Sequence, residues 1–575
     1  MEPRFPSAFP DHLKVSSRLS FSSCILLQNI CLHSPCESLF TTGVVNYRQR
    51  LSMMAATQRK TMSNNHSDDD GQRSSVSRRR FVAASGASGV AATLAGCADL
   101  VGGGDGGDGG SDGGDGTGAT TGEGGSDGAT TIQWGIGPTA VQTAGEEMKT
   151  ALHEAGGLRD DIEIEWVPSA SDTGEVRSNY NRILNADQSD PDIFQMDNGW
   201  VNIFIQRGLI QNLSETLPED LLSDINENYF SGFTDTARDP SSGDLYGVPL
   251  FPDFPTMQYR KDLVEQAGYD PESENWATEP MTWEEWSHVV ADVKDNADAE
   301  YGFTTQWDIY EGTACCTFNE VMSSWGGAYF GGRENLFGPV GERPITVDEP
   351  EVHNALNMMR KFVHDEEFDG TFADYAGNIA PTDILGWIEE PSRSPFAEGD
   401  AVFHRNWPYS LALTGRNPEE TDDPALGEDL GAMPIPYAVS ESEAAQPGTG
   451  GTTSALGGWH LTFNPNSDNL DVIDEVVSAV MEPDFALELF RLQGWLPPRP
   501  ELFNSDEARN VAPVGRYMDT LQVAGENAMA RPVTPVWSQQ SSDIAQSANR
   551  VVGQETSAED AMASLTSSLE ATEQN

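Results

Sequence analysis

Two carboxylates stand where only a polar partner would justify them. Asp253 lies between Phe251-Pro252 and Phe254-Pro255, an apolar setting in which an unpaired charge is costly, so its side chain is expected to meet a hydrogen-bonding group. Asp197 closes the strand-like run 192–196, and open α/β sheets take ligands beyond the carboxyl ends of their strands. The competing role for Asp197 is a helix N-cap. Aromatic rings recur beside polar groups in Tyr310-Glu311-Gly312, Asn406-Trp407-Pro408-Tyr409 and Gly457-Gly458-Trp459. Such a mixture suits binding of hydroxyls with ring stacking, capture of an organic cation, or acid–base cleavage of a glycosidic bond. Nothing marks two carboxylates as catalytic, and Asp383, Glu389 and Glu390 read as a solvated helix face. The nine histidines lack ligand or triad spacing and no nucleotide-binding glycine motif occurs. No cofactor, metal or enzymatic activity is therefore expected.

The chain carries 91 acidic against 33 basic side chains, a formal charge of −58. Residues 1–97 are slightly basic, which leaves −63 beyond Cys97, where Lys149, Lys261, Lys294 and Lys361 are the only lysines. Such a surface repels nucleic acid and anionic lipid. It is also what hydration in concentrated salt requires, which points to a salt-loving source. Of six cysteines only Cys315 and Cys316 follow Cys97. The pair is expected to be buried as small apolar side chains, with a vicinal disulfide as the second reading.

Residues 77–97 run from a basic head at Arg78, Arg79 and Arg80, through a weakly apolar stretch, to Leu94-Ala95-Gly96-Cys97. Arg78 and Arg79 followed by Phe81 match the twin-arginine export address, and the last four residues match a lipobox that leaves Cys97 to be lipidated. The expected location is the outer face of the cytoplasmic membrane. Residues 98–130, rich in Gly and Asp, form a flexible tether in this reading. Residues 1–61 show no coherent pattern, and Met62 opens a more typical leader, as if the start were misplaced upstream.

From Thr131 strand-like and helix-like segments alternate, the pattern of an α/β fold. Strands are expected at 132–136, 162–166, 192–196 and 456–463, and helices at 140–155, 282–294 and 470–482, with another capped by Asp348 and running to Val363. Thr282-Trp283-Glu284-Glu285 is a capping box. The stretches 417–423 and 448–454 read as surface loops.

Several separated segments resemble the family 1 extracellular solute-binding proteins of sugar ABC importers, with the trehalose- and maltose-binding branch the nearest likeness. They include Tyr246-Gly247-Val248-Pro249-Leu250, Tyr259-Arg260-Lys261-Asp262-Leu263, Phe396-Ala397-Glu398-Gly399-Asp400, Arg405-Asn406-Trp407-Pro408-Tyr409, Gly457-Gly458-Trp459, Gly494-Trp495-Leu496-Pro497-Pro498-Arg499 and Arg531-Pro532-Val533-Thr534-Pro535. Their order holds from about residue 131 to 569. The resemblance implies a two-lobed, periplasmic-binding-protein-like α/β fold with a hinge and an interlobe ligand cleft. By analogy, residues 131–250 with 458–512 form one lobe and 251–457 with 513–575 the other. It further implies a sugar ligand, delivery to the permease subunits of an ABC importer, and a monomer. The ligand contacts it implies are Asp197, Trp200, Asp253, Tyr310, Glu311, Trp407, Tyr409, Gly458, Trp459, Arg531 and Trp537. Phe251 stands where relatives commonly place tyrosine, so one hydroxyl contact is lost there. The remaining alternatives are a receptor for another solute, such as a polyamine, and a glycoside hydrolase.

Overall fold

Alternation of Ile132, Trp134 and Ile136 with smaller or polar neighbours builds the first strand, β1 (Thr130–Ile136), whose three large side chains are buried. The computed structural model describes residues 129–574 except 298 and 369, so Arg78, Arg79, Cys97 and nearly all of the tether lie outside the described residues. Pro138 opens the helix Pro138–Glu154, where its missing N–H costs nothing, and Gly157 in the left-handed region turns the chain back at its end. The strands β2 (Ile162–Pro168) and β3 (Ile193–Asp197) then lie parallel on either side of β1. The next strand in the chain, β4 (Val248–Asp253), forms the far edge of this sheet.

Only Phe254 and Pro255 separate β4 from β5 (Thr256–Arg260), which belongs to a different sheet with β6 (Tyr301–Thr304), β7 (Ala401–Asn406) and β8 (Leu430–Met433). The return is as short. After β9 (Ser454–Ala455), Leu456 alone precedes β10 (Gly457–Phe463), which inserts antiparallel between β3 and β4. The sheets are therefore β2-β1-β3-β10-β4 and β6-β7-β5-β8. Each has its own apolar core, one around Ile164, Phe194 and Leu461 and one around Trp286, Phe403 and Leu569. A third cluster packs Phe254, Leu430, Phe490 and Leu521 together. The result is a two-lobed α/β protein. The last short strand, β11 (Ala528–Met529), pairs with β9 and brings the following chain back beside the crossing segments.

Local expectations hold where the cause is local. Glu285 N–H donates to Thr282 Oγ1 and Thr282 N–H to Glu285 Oε2, the reciprocal capping box before the helix Trp283–Ala297. Asp348 does not cap a helix: the helix starts at Pro350, and the Asp348 carboxylate meets His353 Nε2 at 2.9 Å. The run 470–482 is a 3-10 turn, Leu470–Val472, leading into the helix Ile473–Met481. The segment 448–454 is not a surface loop, since Thr449, Thr453 and Ser454 are buried. Gly450, in the left-handed region, donates its N–H to Ser323 O at 2.7 Å and draws that segment inward.

Candidate functional site

The register of β10 assembles one wall. Trp459 is the cross-strand partner of both Asp197 on β3 and Phe251 on β4, so three residues far apart in the chain form one row. Phe251 stacks on Trp495 at 4.4 Å, and Trp200 meets Trp459 edge to face at 5.5 Å. Gly458 has a φ of 126°, and a Cβ there would lie 2.5 Å from Phe233. At Gly457 a Cβ would lie 2.6 Å from the Trp407 ring, so the glycine lets an aromatic of the second lobe approach the backbone of the first.

Between the lobes lies a cavity of about 500 Å³, within the roughly 300–1,000 Å³ usual for small-molecule sites. Asp197, Asp253, Glu311, Trp407, Tyr409, Gly458, Trp459 and Arg531 all line it. Three other candidates do not. Trp200 is fully buried behind Trp459, and Trp537 is fully buried in the second core against Tyr329, because each apolar ring finds more contact inside its lobe than at the cleft. Tyr310 sits behind the wall, its O–H donating to Glu389 Oε1 at 2.8 Å.

Charge pairing crosses the cleft. Arg531, 4% exposed, meets Asp197 Oδ1 at 2.8 Å and Glu311 Oε1 at 3.4 Å, and Arg177 from the first lobe reaches Glu311 Oε2 at 2.5 Å. Gly199 N–H also donates to Asp197 Oδ1 at 2.8 Å, so this carboxylate both caps a turn and joins the lobes. Burial raises the Asp197 pKa, with Arg531 pulling it back and Glu311 pushing it up.

Asp253 differs. Burial holds its carboxyl well above the usual carboxylate range, the Arg405 charge offsets only part of that, and no hydrogen bond from a described residue contributes. Ionisation is thus penalised in the native state, a cost absent below the unfolded pKa of about 3.9 and fully present once the pH exceeds the native value. Asp253→Asn should therefore raise the melting temperature of the ligand-free protein at neutral pH, and the gain should fade as the pH falls toward about 4. Melting curves of both proteins across that range check it, and a gain independent of pH would contradict the cause given.

Some cavity residues escaped sequence reasoning. Glu389 and Glu390 line the cavity, because the helix Glu389–Ala397 begins at the cleft, while the Glu390 side chain stays 41% exposed and Asp383 is exposed, both as expected. Burial raises the Glu389 pKa, partly offset by the Tyr310 hydrogen bond. Gln195, 4% exposed within the otherwise apolar first four residues of β3, also lines the cavity. Its polarity inside an apolar run was the available signal. Gln195 Oε1 and Arg531 Nε are buried and have no hydrogen-bond partner among the described residues. Cys315 and Cys316 are buried as expected, but they are joined by a vicinal disulfide and form part of the cavity wall. Among the described residues no cluster suited to a metal ion occurs, and no helix is long and apolar enough to cross a membrane.

Comparison with known proteins agrees with this architecture. The maltose-bound MalE3 of T. maritima has the same fold, with a TM-score of 0.63 at 24% identity over 77% of this chain and 99% of that one. A probable ABC transporter-binding protein of Deinococcus radiodurans is 25% identical over 381 residues, 65% of this chain and 76% of the relative. The maltotriose-binding protein of Pyrococcus abyssi is 22% identical over 324 residues, 56% of this chain and 57% of the relative. Residues 139–485 match the family model described as bacterial extracellular solute-binding protein. That match spans more than half of the 575 residues and includes most of the cavity wall, and the chain therefore belongs to the bacterial extracellular solute-binding protein family.

Proposed function

We propose that this protein captures an oligosaccharide of the maltose or trehalose type outside the cytoplasmic membrane and delivers it to the permease subunits of an ABC importer. The supporting observation is the composition of the cavity wall. Phe251, Trp407, Trp459 and Trp495 offer apolar faces, while a buried acceptor at Gln195 Oε1 and a buried donor at Arg531 Nε lack partners among the described residues. A sugar hydroxyl donates and accepts at once, and its ring carries C–H faces, so one ligand class answers both demands. The relatives that bind maltose and maltotriose point the same way. Lipidation of Cys97 would keep the protein close to its permease, and the following Gly- and Asp-rich stretch would give it reach.

Asp197, Asp253, Glu311, Tyr409 and Gln195 are the proposed hydroxyl partners, with Trp407 and Trp459 as stacking surfaces. The protein acts as a receptor in this reading, and the cross-cleft pairing of Asp197 and Glu311 with Arg531 is a binding arrangement rather than a free acid and base. Maltose, maltotriose and trehalose should be offered to the full chain in concentrated salt. At about 100 times its Kd a true ligand should stabilise the fold by about 2.7 kcal/mol without product appearing. Turnover of the sugar would overturn the receptor reading, and stabilisation by spermidine alone would replace sugar with a polyamine.

A further inference from the structure

The cavity is walled by both lobes, and the aromatic surface on the two sides is unequal. The first lobe supplies Phe251, Trp459 and Trp495. In the second lobe, Glu311, Glu389, Glu390 and the Tyr409 hydroxyl are polar, and the Arg405 guanidinium lies 4.8 Å over the Trp407 ring, occupying one of its faces. Ile388, Pro391 and the other face of Trp407 supply apolar surface along that wall, and at its Glu311 end the apolar lining residues are Cys315 and Cys316. Cys315 and Cys316 lie on a π-helical turn, Thr313–Thr317, four and five residues beyond Glu311, and are joined to each other. Gly312 in between adds only backbone, since a Cβ there would lie 2.3 Å from the Tyr310 ring. The linked pair and Glu311 therefore line the same end of the cavity.

Two linked sulfurs carry no S–H donor, are polarisable and cannot rotate apart, whereas two thiols at the same place bring two weak donors and independent rotamers. A sugar C–H face needs the first kind of surface. Extracellular proteins also work where a disulfide persists. We infer that the Cys315–Cys316 disulfide is a ligand-contacting surface of the second lobe, on which the apolar face of the bound sugar rests, and that its redox state sets the affinity. This inference rests on the sugar-binding reading. Reduction by a dithiol balances as follows: the reagent closes its own disulfide, giving up two electrons and two protons, and each protein sulfur takes one of each to become a thiol.

The test uses the full chain and maltotriose. Calorimetric affinity is compared for the oxidised protein, the protein reduced with dithiothreitol, and Cys315→Ser/Cys316→Ser, with the state of the 315–316 peptide read by mass after thiol labelling. Reduction and the double substitution should each weaken maltotriose binding about tenfold. Because linkage is reciprocal, saturating maltotriose should then make the disulfide harder to reduce, lowering its potential by about 30 mV per tenfold. If the disulfide only braces the fold, its reduction or removal would lower the ligand-free melting temperature, while the affinity stays unchanged and the potential does not depend on maltotriose. That result overturns the inference and spares the sugar reading. Absence of sugar binding by the oxidised protein removes both.

Discussion

Arg405→Met is expected to cost about 3–5 kcal/mol of folding stability, the usual effect of stranding one member of a buried ion pair. Arg405 is 3% exposed and Glu320 1%. Its Nε donates to Glu320 Oε2 and its Nη1 to Gln306 Oε1, both at 2.8 Å, while Ala455 N–H donates to Glu320 Oε1 at 2.9 Å. The pair thus ties β7 to the strand from which the chain recrosses to the first lobe. Burial already raises the Glu320 pKa, and Arg405 is the main influence opposing it. Without the guanidinium the acid would be driven toward its neutral form. The deficit should therefore shrink as the pH is lowered, and Glu320→Leu combined with Arg405→Met should recover much of the loss. Urea denaturation in concentrated salt measures all three proteins. A single substitution that costs less than about 1 kcal/mol would show that the pair carries no such weight.

Trp459→Ala and Trp407→Ala are each expected to weaken maltotriose binding about 30-fold or more, through loss of ring surface and stacking. The two rings are held differently. Trp459 projects from β10, the antiparallel strand between β3 and β4 in the first sheet, braced edge-on by Trp200. Trp407 precedes the helix Pro408–Thr414 and is fixed between Arg405 and the bare backbone of Gly457. Arg405→Met should consequently weaken ligand binding as well as folding, because the Trp407 ring loses one of its supports. Calorimetry on variants that still melt cooperatively separates affinity from stability. Unchanged affinity in both tryptophan variants would remove the stacking assignment.

These expectations also locate the boundary between what could be read along the chain and what needed the fold. The strands β1 and β2 and the capping box at Thr282 were legible because each depends on neighbours within a few residues, a period of two or a side chain reaching its own backbone; the polar partner expected for Asp253 is not supplied by any described residue. The order of separated segments carried the two-lobed architecture, though none of them is distinctive alone. The site itself was legible only in part. Trp459 reaches the cavity and Trp200 does not, yet both are tryptophans beside polar residues; the difference is that Trp200 packs behind the Trp459 ring, fully buried in the first lobe. Glu389 and Glu390 looked like solvent-facing charge, and only the placement of their helix at the cleft makes them part of the wall. The link from Arg531 to Asp197 spans 334 positions and the one from Arg177 to Glu311 spans 134. Periodicity and capping act within a turn or a strand, so they reveal elements and their ends. Which face of an element borders the cleft, and which charges meet across it, follows from strand register and lobe packing between residues hundreds of positions apart.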